Sequence, residues 1–348
     1  MGDQMLPPFG WGEVLSQWEF GPVVTVVTAA LAVLYLAGAF RVARRHPARP
    51  WPWWRTGMFL GGLAVIVLAT ESGIGVYDDT LFWDHMIQHL MLIMIAPAML
   101  VVGQPVTLLM HASRNPVHTW VKRVVRSRVA TWLTSPWFGI AAYTVTIVGT
   151  HLTGFMSVVM TNATLHDAEH ALYLVVGYLF FLPLLGREPI RWRIAYPARI
   201  FVLFLTMPVD TFTGLILGYS TTPMPGMGPR PAWAPNALAD LHSGGAVMWI
   251  GGDGIMFAFM MVVFLAWSQD GRASATSGGW LESVRRANFA GLTGTDAAPQ
   301  AAASSRAGRK QDEATIDDDD EHLAAYNEFL ARINAAESRR TGSDGKPG

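Results

Sequence analysis

Two short segments, His85–His89 (HMIQH) and His166–His170 (HDAEH), each place two histidines four residues apart. On a helix, residues i and i+4 differ by about 40° around the axis and about 6 Å along it, so both imidazoles can reach one metal ion. Glu169 follows His166 by three residues and shares its face. A carboxylate there acts as a ligand, or as the acceptor that fixes an imidazole tautomer. Gln88 lies on the same face as His85, and its amide can hydrogen-bond a ligand imidazole. The chain has no cysteine, so soft-metal chemistry must run on its 10 His and 17 Met.

Three chemistries compete for these residues. HDAEH matches the H-x-x-E-H pattern of some zinc peptidases, with Glu169 as general base. Such a site needs one more ligand and an open water position. HMIQH contains no acid, and four or five histidines exceed what catalytic zinc requires. A haem reading takes one axial histidine from each of two helices and leaves one member of each pair unexplained. A carrier reading needs neither a catalytic base nor an activated water, so it describes a protein that is not an enzyme. Copper as Cu(I) suits imidazole with thioether, and zinc is the alternative. Met224 and Met227, in the loop PMPGMG, are accessory thioether candidates.

The elements that must position these side chains are apolar. Hydrophobic residues make up 51% of the chain and charged residues 15%, against about a quarter charged in soluble domains. Net charge is −1, with no basic block suited to nucleic acid. Seven stretches approach the roughly 20 residues a bilayer crossing takes: 22–40, 57–77, 85–103, 137–159, 168–186, 198–219 and 244–267. The fold class expected is all-α, a polytopic membrane protein with seven transmembrane helices.

Arginine and lysine concentrate in 41–56, 104–136 and 187–197, whereas 1–21, 78–84, 160–167 and 220–243 hold only Arg230. The positive-inside rule then places the N-terminus outside and the C-terminus in the cytoplasm. On that topology His85, His89, His166 and His170 sit in outer turns, and His151 lies about two turns inside span four. His242 sits just outside span seven, so six of the ten histidines share the outer slab. The N-terminus lacks the basic region of a cleaved leader, and Leu6 argues against myristoylation.

Glu71, Asp210 and Asp253 fall inside spans, either as an ion or proton path or as hydrogen-bonding ties between helices. Asp78, Asp79 and Asp84 make the approach to span three acidic, as a cation attractor or as a solvated loop. Segment 116–134 has an amphipathic pattern that suits an interfacial helix. The domains expected are an outer N-terminal segment 1–21, a membrane domain 22–267, a disordered cytoplasmic linker 268–316 and an acidic tail 317–348. That tail carries a short amphipathic helix and a possible handle for a cytoplasmic partner.

HMIQHLMLIMIAPAMLVVGQPVTLLM (85–110), the His151 region, HDAEHALYLVVGYLFFLPLLG (166–186) and DLHSGGAVMWIGGDG (240–254) carry a resemblance. With the span count, they make the chain similar to the seven-span CtaG-type cytochrome c oxidase assembly factors over roughly 20–267. The resemblance implies a non-enzymatic factor in the bacterial plasma membrane that matures haem–copper oxidase, with oxidase subunits as partners and copper supply as its role. His85, Gln88 and His89 match the first motif, and His166, Glu169 and His170 the second. Asp240, Gly244, Gly245, Met248 and Trp249 match the last, with His242 alongside, which makes Asp240 and His242 accessory candidates for the site.

Overall fold

A computed structural model describes residues 6–48, 50–159, 161–223 and 230–270, and among them all regular structure is helical. The expected cytoplasmic linker and tail helix lie, from residue 271 onward, outside the described residues.

A short helix α1 (Trp11–Ser16) precedes α2 (Pro22–Arg45) and α3 (Trp53–Glu71). Ser72 interrupts α3, and its hydroxyl accepts from Ile74 N to start α4 (Gly73–Tyr77). Next, α5 (Phe82–Leu90) runs through a π-helical turn, Met91–Ile95, into α6 (Ala96–Val102). Gln104, in the left-handed region with φ 54°, bends the chain into α7 (Pro105–Ala112). Helices α8 (Val117–Val125), α9 (Arg128–Leu133), α10 (Pro136–His151) and α11 (Phe155–Val159) follow. Then come α12 (Ala163–Leu185), α13 (Tyr196–Gly218) and α14 (Ala237–Ala246). A second π-helical turn, Val247–Gly251, extends α14 to Asp270.

Among the described residues six helices are long and apolar enough to cross a membrane: Pro22–Arg45, Trp53–Tyr77, Phe82–Ala112, Ala163–Leu185, Tyr196–Gly218 and Ala237–Asp270. The expected fourth span, 137–159, differs. Helix α10 has 16 residues, a rise of about 24 Å against a hydrocarbon core of about 30 Å. Its end is polar: the Thr150 and Thr153 hydroxyls bond back to the carbonyls of Thr146 and Gly149. His151 therefore closes the helix instead of lying two turns inside it. The amphipathic segment 116–134 also divides, into α8 and α9. Ser127 takes an extended backbone and caps Ala130 N at 3.1 Å, and such a side-chain acceptor favours a new helix start over continuation.

Phe82–Ala112 is the most buried span and the axis of the bundle. Its α6 portion packs on α3 and α12, α5 packs on α14, and α7 packs on α2. Gly177 lets α12 approach the first π-helical turn, since a Cβ there would fall 2.0 Å from the Ile93 carbonyl oxygen. Polar side chains tie helices together across this apolar packing. Thr25 donates to Glu71 at 2.6 Å, Tyr143 to both oxygens of Asp210 at 2.8 and 3.0 Å, and Thr211 to Asp253 at 2.7 Å. Each span acid raised by the sequence thus has a hydroxyl partner on another helix.

Glu188, after α12, accepts from Val106 N at 3.0 Å and Thr107 N at 2.8 Å, capping α7 from outside its own sequence. Burial pushes its carboxyl above the usual range, against the pull of the Thr107 hydroxyl and these amides.

The substitution Gly177→Ala forces α12 off the π-helical turn. Overpacking of this kind costs about 1–3 kcal/mol, to be read as a lower melting temperature of the detergent-purified protein. An unchanged melt would show that this close approach is not a packing constraint.

Candidate metal centre

The position of His85 and His89 depends on where α5 begins. Leu81 is extended, and the first amides of the helix, Phe82 N and Trp83 N, donate to Asp240 Oδ2 at 2.9 Å and Oδ1 at 3.1 Å. Asp240 belongs to α14 and is fully buried. Its charge is also met by Arg230, whose Nη2 lies 2.6 Å from Oδ2. An anion at a helix N-terminus satisfies orphan N–H groups and opposes the positive end of the dipole. This cap from a distant element sets the height and rotation of α5, and so aims its histidines.

Helices α5, α10 and α12 then bring five imidazoles together. His85 and His89 approach Nε2 to Nε2 at 2.6 Å. The His166 ring stacks on His85 at 5.4 Å between centroids, and His170 lies 4.4 Å from His166. His151 meets His89 at 5.4 Å, and Tyr173 covers His89 at 4.3 Å. His85, His89 and His151 are buried; His166 and His170 are partly so.

Hydrogen bonds choose the tautomers. His151 Nδ1 donates to the Ile147 carbonyl at 2.9 Å, so its Nε2 carries the lone pair. The Gln88 amide donates to the Ala69 carbonyl and to Asp78 Oδ2, leaving Oε1 to accept from His170 Nε2 at 3.0 Å. The free lone pair of His170 is therefore on Nδ1. Between His85 and His89 one ring must donate through Nε2, which leaves the other with its proton on a buried Nδ1.

Unpartnered buried atoms mark where a ligand fits. His85 Nδ1, His89 Nδ1, His151 Nε2, His166 Nε2 and Glu169 Oε2 all lack a hydrogen-bond partner. An unsatisfied buried polar atom costs about 1–3 kcal/mol, so these atoms call for a polar partner such as an ion or water. Two three-residue donor sets, His85/His89/Glu169 and Asp78/His85/His166, have ligand atoms within 4.8 Å of one another. Imidazole-rich donors suit copper or zinc, so the residues fit such an ion.

Asp78, read from the sequence as one of three approach acids, is buried instead and lies 3.7 Å from His166. Burial, reinforced by Asp79 and Asp84, pushes its carboxyl well above the usual range, while the Gln88 bond pulls it down. Asp84 is buried too and only Asp79 is exposed, so a solvated acidic loop does not describe this segment. Of the accessory candidates, His242 Nε2 is engaged by the Ser220 carbonyl at 2.9 Å. Met224 and Met227 lie outside the described residues. Sequence reasoning missed Tyr173 and Thr150. The Tyr173 hydroxyl lies 2.7 Å from the Thr150 hydroxyl and 3.3 Å from Glu169 Oε1, and the Thr150 oxygen lies 2.9 Å from His151 Nδ1. The signal was available for Tyr173, which continues the 166, 169/170 face by one turn.

A family profile described as cytochrome c oxidase caa3 assembly factor (Caa3_CtaG) matches residues 33–270. Uncharacterized proteins of Mycobacterium bovis and Mycobacterium tuberculosis are each 30% identical over 262 residues, covering 72% of this chain and 39% of theirs. An uncharacterized protein of Mycobacterium leprae is 28% identical over 285 residues, covering 79% of this chain and 43% of its own. The chain thus spans about two fifths of the length of the curated relatives it matches. No solved structure matches it significantly.

The Asp240 cap gives a direct test of how the site is positioned. Asp240→Ala uncaps α5 and removes the carboxylate from Arg230, and breaking a buried pair costs about 3–5 kcal/mol. Asp240→Asn keeps the shape and one acceptor, so its melting temperature should fall between those of wild type and the alanine variant. Equal melting of all three proteins would remove the cap from the account of α5.

Proposed function

The chain belongs to the cytochrome c oxidase caa3 assembly factor family, and we propose that it acts in oxidase maturation by holding copper, as Cu(I), in the five-histidine cluster and releasing it toward an oxidase subunit. The observation that carries this reading is the convergence of donor atoms from α5 and α12, His85, His89, His166 and Glu169, within 4.8 Å in two sets, with the His151 ring of α10 packed beside His89. His85, His89, His151, His166 and His170 are the proposed ligands. Glu169 and Gln88 orient them or complete the coordination. Reversible holding needs several soft-to-borderline donors and no activated water, so the role is that of a carrier and not of a catalyst.

The proposed setting is a bacterial plasma membrane crossed seven times, with α10 as the short fourth crossing and the histidine end facing outside. The arginine- and lysine-rich connections support this orientation through the positive-inside rule. One arrangement favours a second reading. His85, His89 and Glu169 form a two-histidine, one-glutamate donor set of the kind that holds catalytic zinc, which would make the protein a membrane zinc hydrolase. A haem between the histidines is disfavoured, because the imidazoles pack ring against ring with centroids 4.1 to 5.4 Å apart.

Metal content of the full chain, purified in detergent with limiting Cu(I) and zinc offered together, tests the proposal. Stoichiometric copper in wild type is expected, lost when His85, His89, His166 and His170 are all changed to alanine. Gln88→Leu, which removes the acceptor that fixes His170 and adds no donor atom, should weaken copper binding roughly 10–100-fold while the protein still folds. Zinc in preference to copper would favour the hydrolase reading, and no metal in folded wild type would sink both.

A further inference from the structure

Away from the histidines, α9, the start of α10 and the connection between α12 and α13 line an open surface groove of about 410 Å³. Its walls are Arg128, Arg191 and three tryptophans, Trp132, Trp137 and Trp192. A second groove of about 380 Å³ is lined by Val125, Arg126, Pro189, Ile190 and the same Arg191. The wall between α9 and the connection is built: Trp192 Nε1 donates to the Thr131 carbonyl at 2.7 Å, which holds Arg191 beside α9. Trp132 and Trp137 stand open at 63% and 72% exposure, so their faces flank the mouth.

The charge here is one-sided. Residues 113–137 contain no Asp or Glu, and the single acid in 187–199 is Glu188. That carboxylate is committed to the amides of α7. Three arginines therefore line two grooves that share Arg191, with no carboxylate nearby in sequence left to answer them. Exposed tryptophan beside arginine is the composition of a membrane–water interface, where indole sits at headgroup level and guanidinium binds phosphate bidentately.

We propose that the paired grooves hold the headgroup of an anionic lipid with two phosphates, of the diphosphatidylglycerol class. Arg191 lies between the phosphates, Arg128 holds one and Arg126 the other. The tryptophans pack along the glycerol and upper acyl region. A single-phosphate lipid fills one groove and leaves the other arginine unmatched, and a zwitterionic headgroup brings its own cation to the site.

Native mass spectrometry of the full chain in detergent, titrated in parallel with cardiolipin, phosphatidylglycerol, phosphatidylcholine and inorganic phosphate, tests this. Cardiolipin should be retained with at least roughly tenfold preference over either other lipid. Arg126→Gln and Arg128→Gln should each reduce its retention about fivefold, and Arg191→Gln by more, at about 1 kcal/mol per interfacial cation. Arg123→Gln, on α8 but outside both grooves, should change little. Equal retention of cardiolipin and phosphatidylcholine would overturn the proposal. So would equal losses for Arg123→Gln and Arg191→Gln, displacement by inorganic phosphate at matched concentration, or an unchanged preference in an Arg126/Arg128/Arg191 triple glutamine variant that melts like wild type.

Discussion

The carboxylate of Asp240 at the start of α5 is the contact on which the arrangement of the site rests. A helix leaves its first N–H groups unpaired, and inside an apolar bundle no water is at hand to satisfy them. Asp240 supplies both acceptors from another helix, and Arg230 meets the remaining charge. The same device recurs at the far end of this span, where Glu188 closes the amides of α7. The central span is thus held at two helix starts by carboxylates from elsewhere, which limits both sliding and rotation. Histidines one and two turns along α5 inherit that rigidity.

The lining of the site follows a similar economy. Each hydrogen bond made by an imidazole on one nitrogen decides what the other nitrogen can do. His151 uses the Ile147 carbonyl and His170 uses Gln88, so each is left with a lone pair free for an ion. Gln88 is itself held by Ala69 and Asp78, and Glu169 by Tyr173. This support shell is drawn from α3, the loop before α5, and α12. A change at one of these histidines would therefore be felt in several helices.

Much of the fold was legible in the sequence because bilayer crossing demands long apolar runs, and six of the expected stretches correspond to such helices. Two expectations failed for local reasons. Apolar content carried the fourth stretch on to residue 159, but threonine back-bonding ends α10 at His151. Amphipathic spacing joined 116–134 into one helix, but the Ser127 cap divides it. Both failures sit at hydroxyl residues, whose side chains compete with the helical hydrogen-bond ladder in ways that periodicity does not register.

By itself the sequence determined the membrane-helical class, the paired HMIQH and HDAEH histidines and their shared helical faces, since these follow from residue type and a fixed 3.6-residue period. Only the tertiary structure decided that α5, α10 and α12 converge, that Tyr173 and Thr150 join the histidines, and that Asp240 caps α5. Those facts depend on contacts between residues 158 and 82 positions apart, as in Asp240 with Phe82 and His170 with Gln88. Such contacts are set by which helices pack together, and helical periodicity within one segment carries no information about that choice.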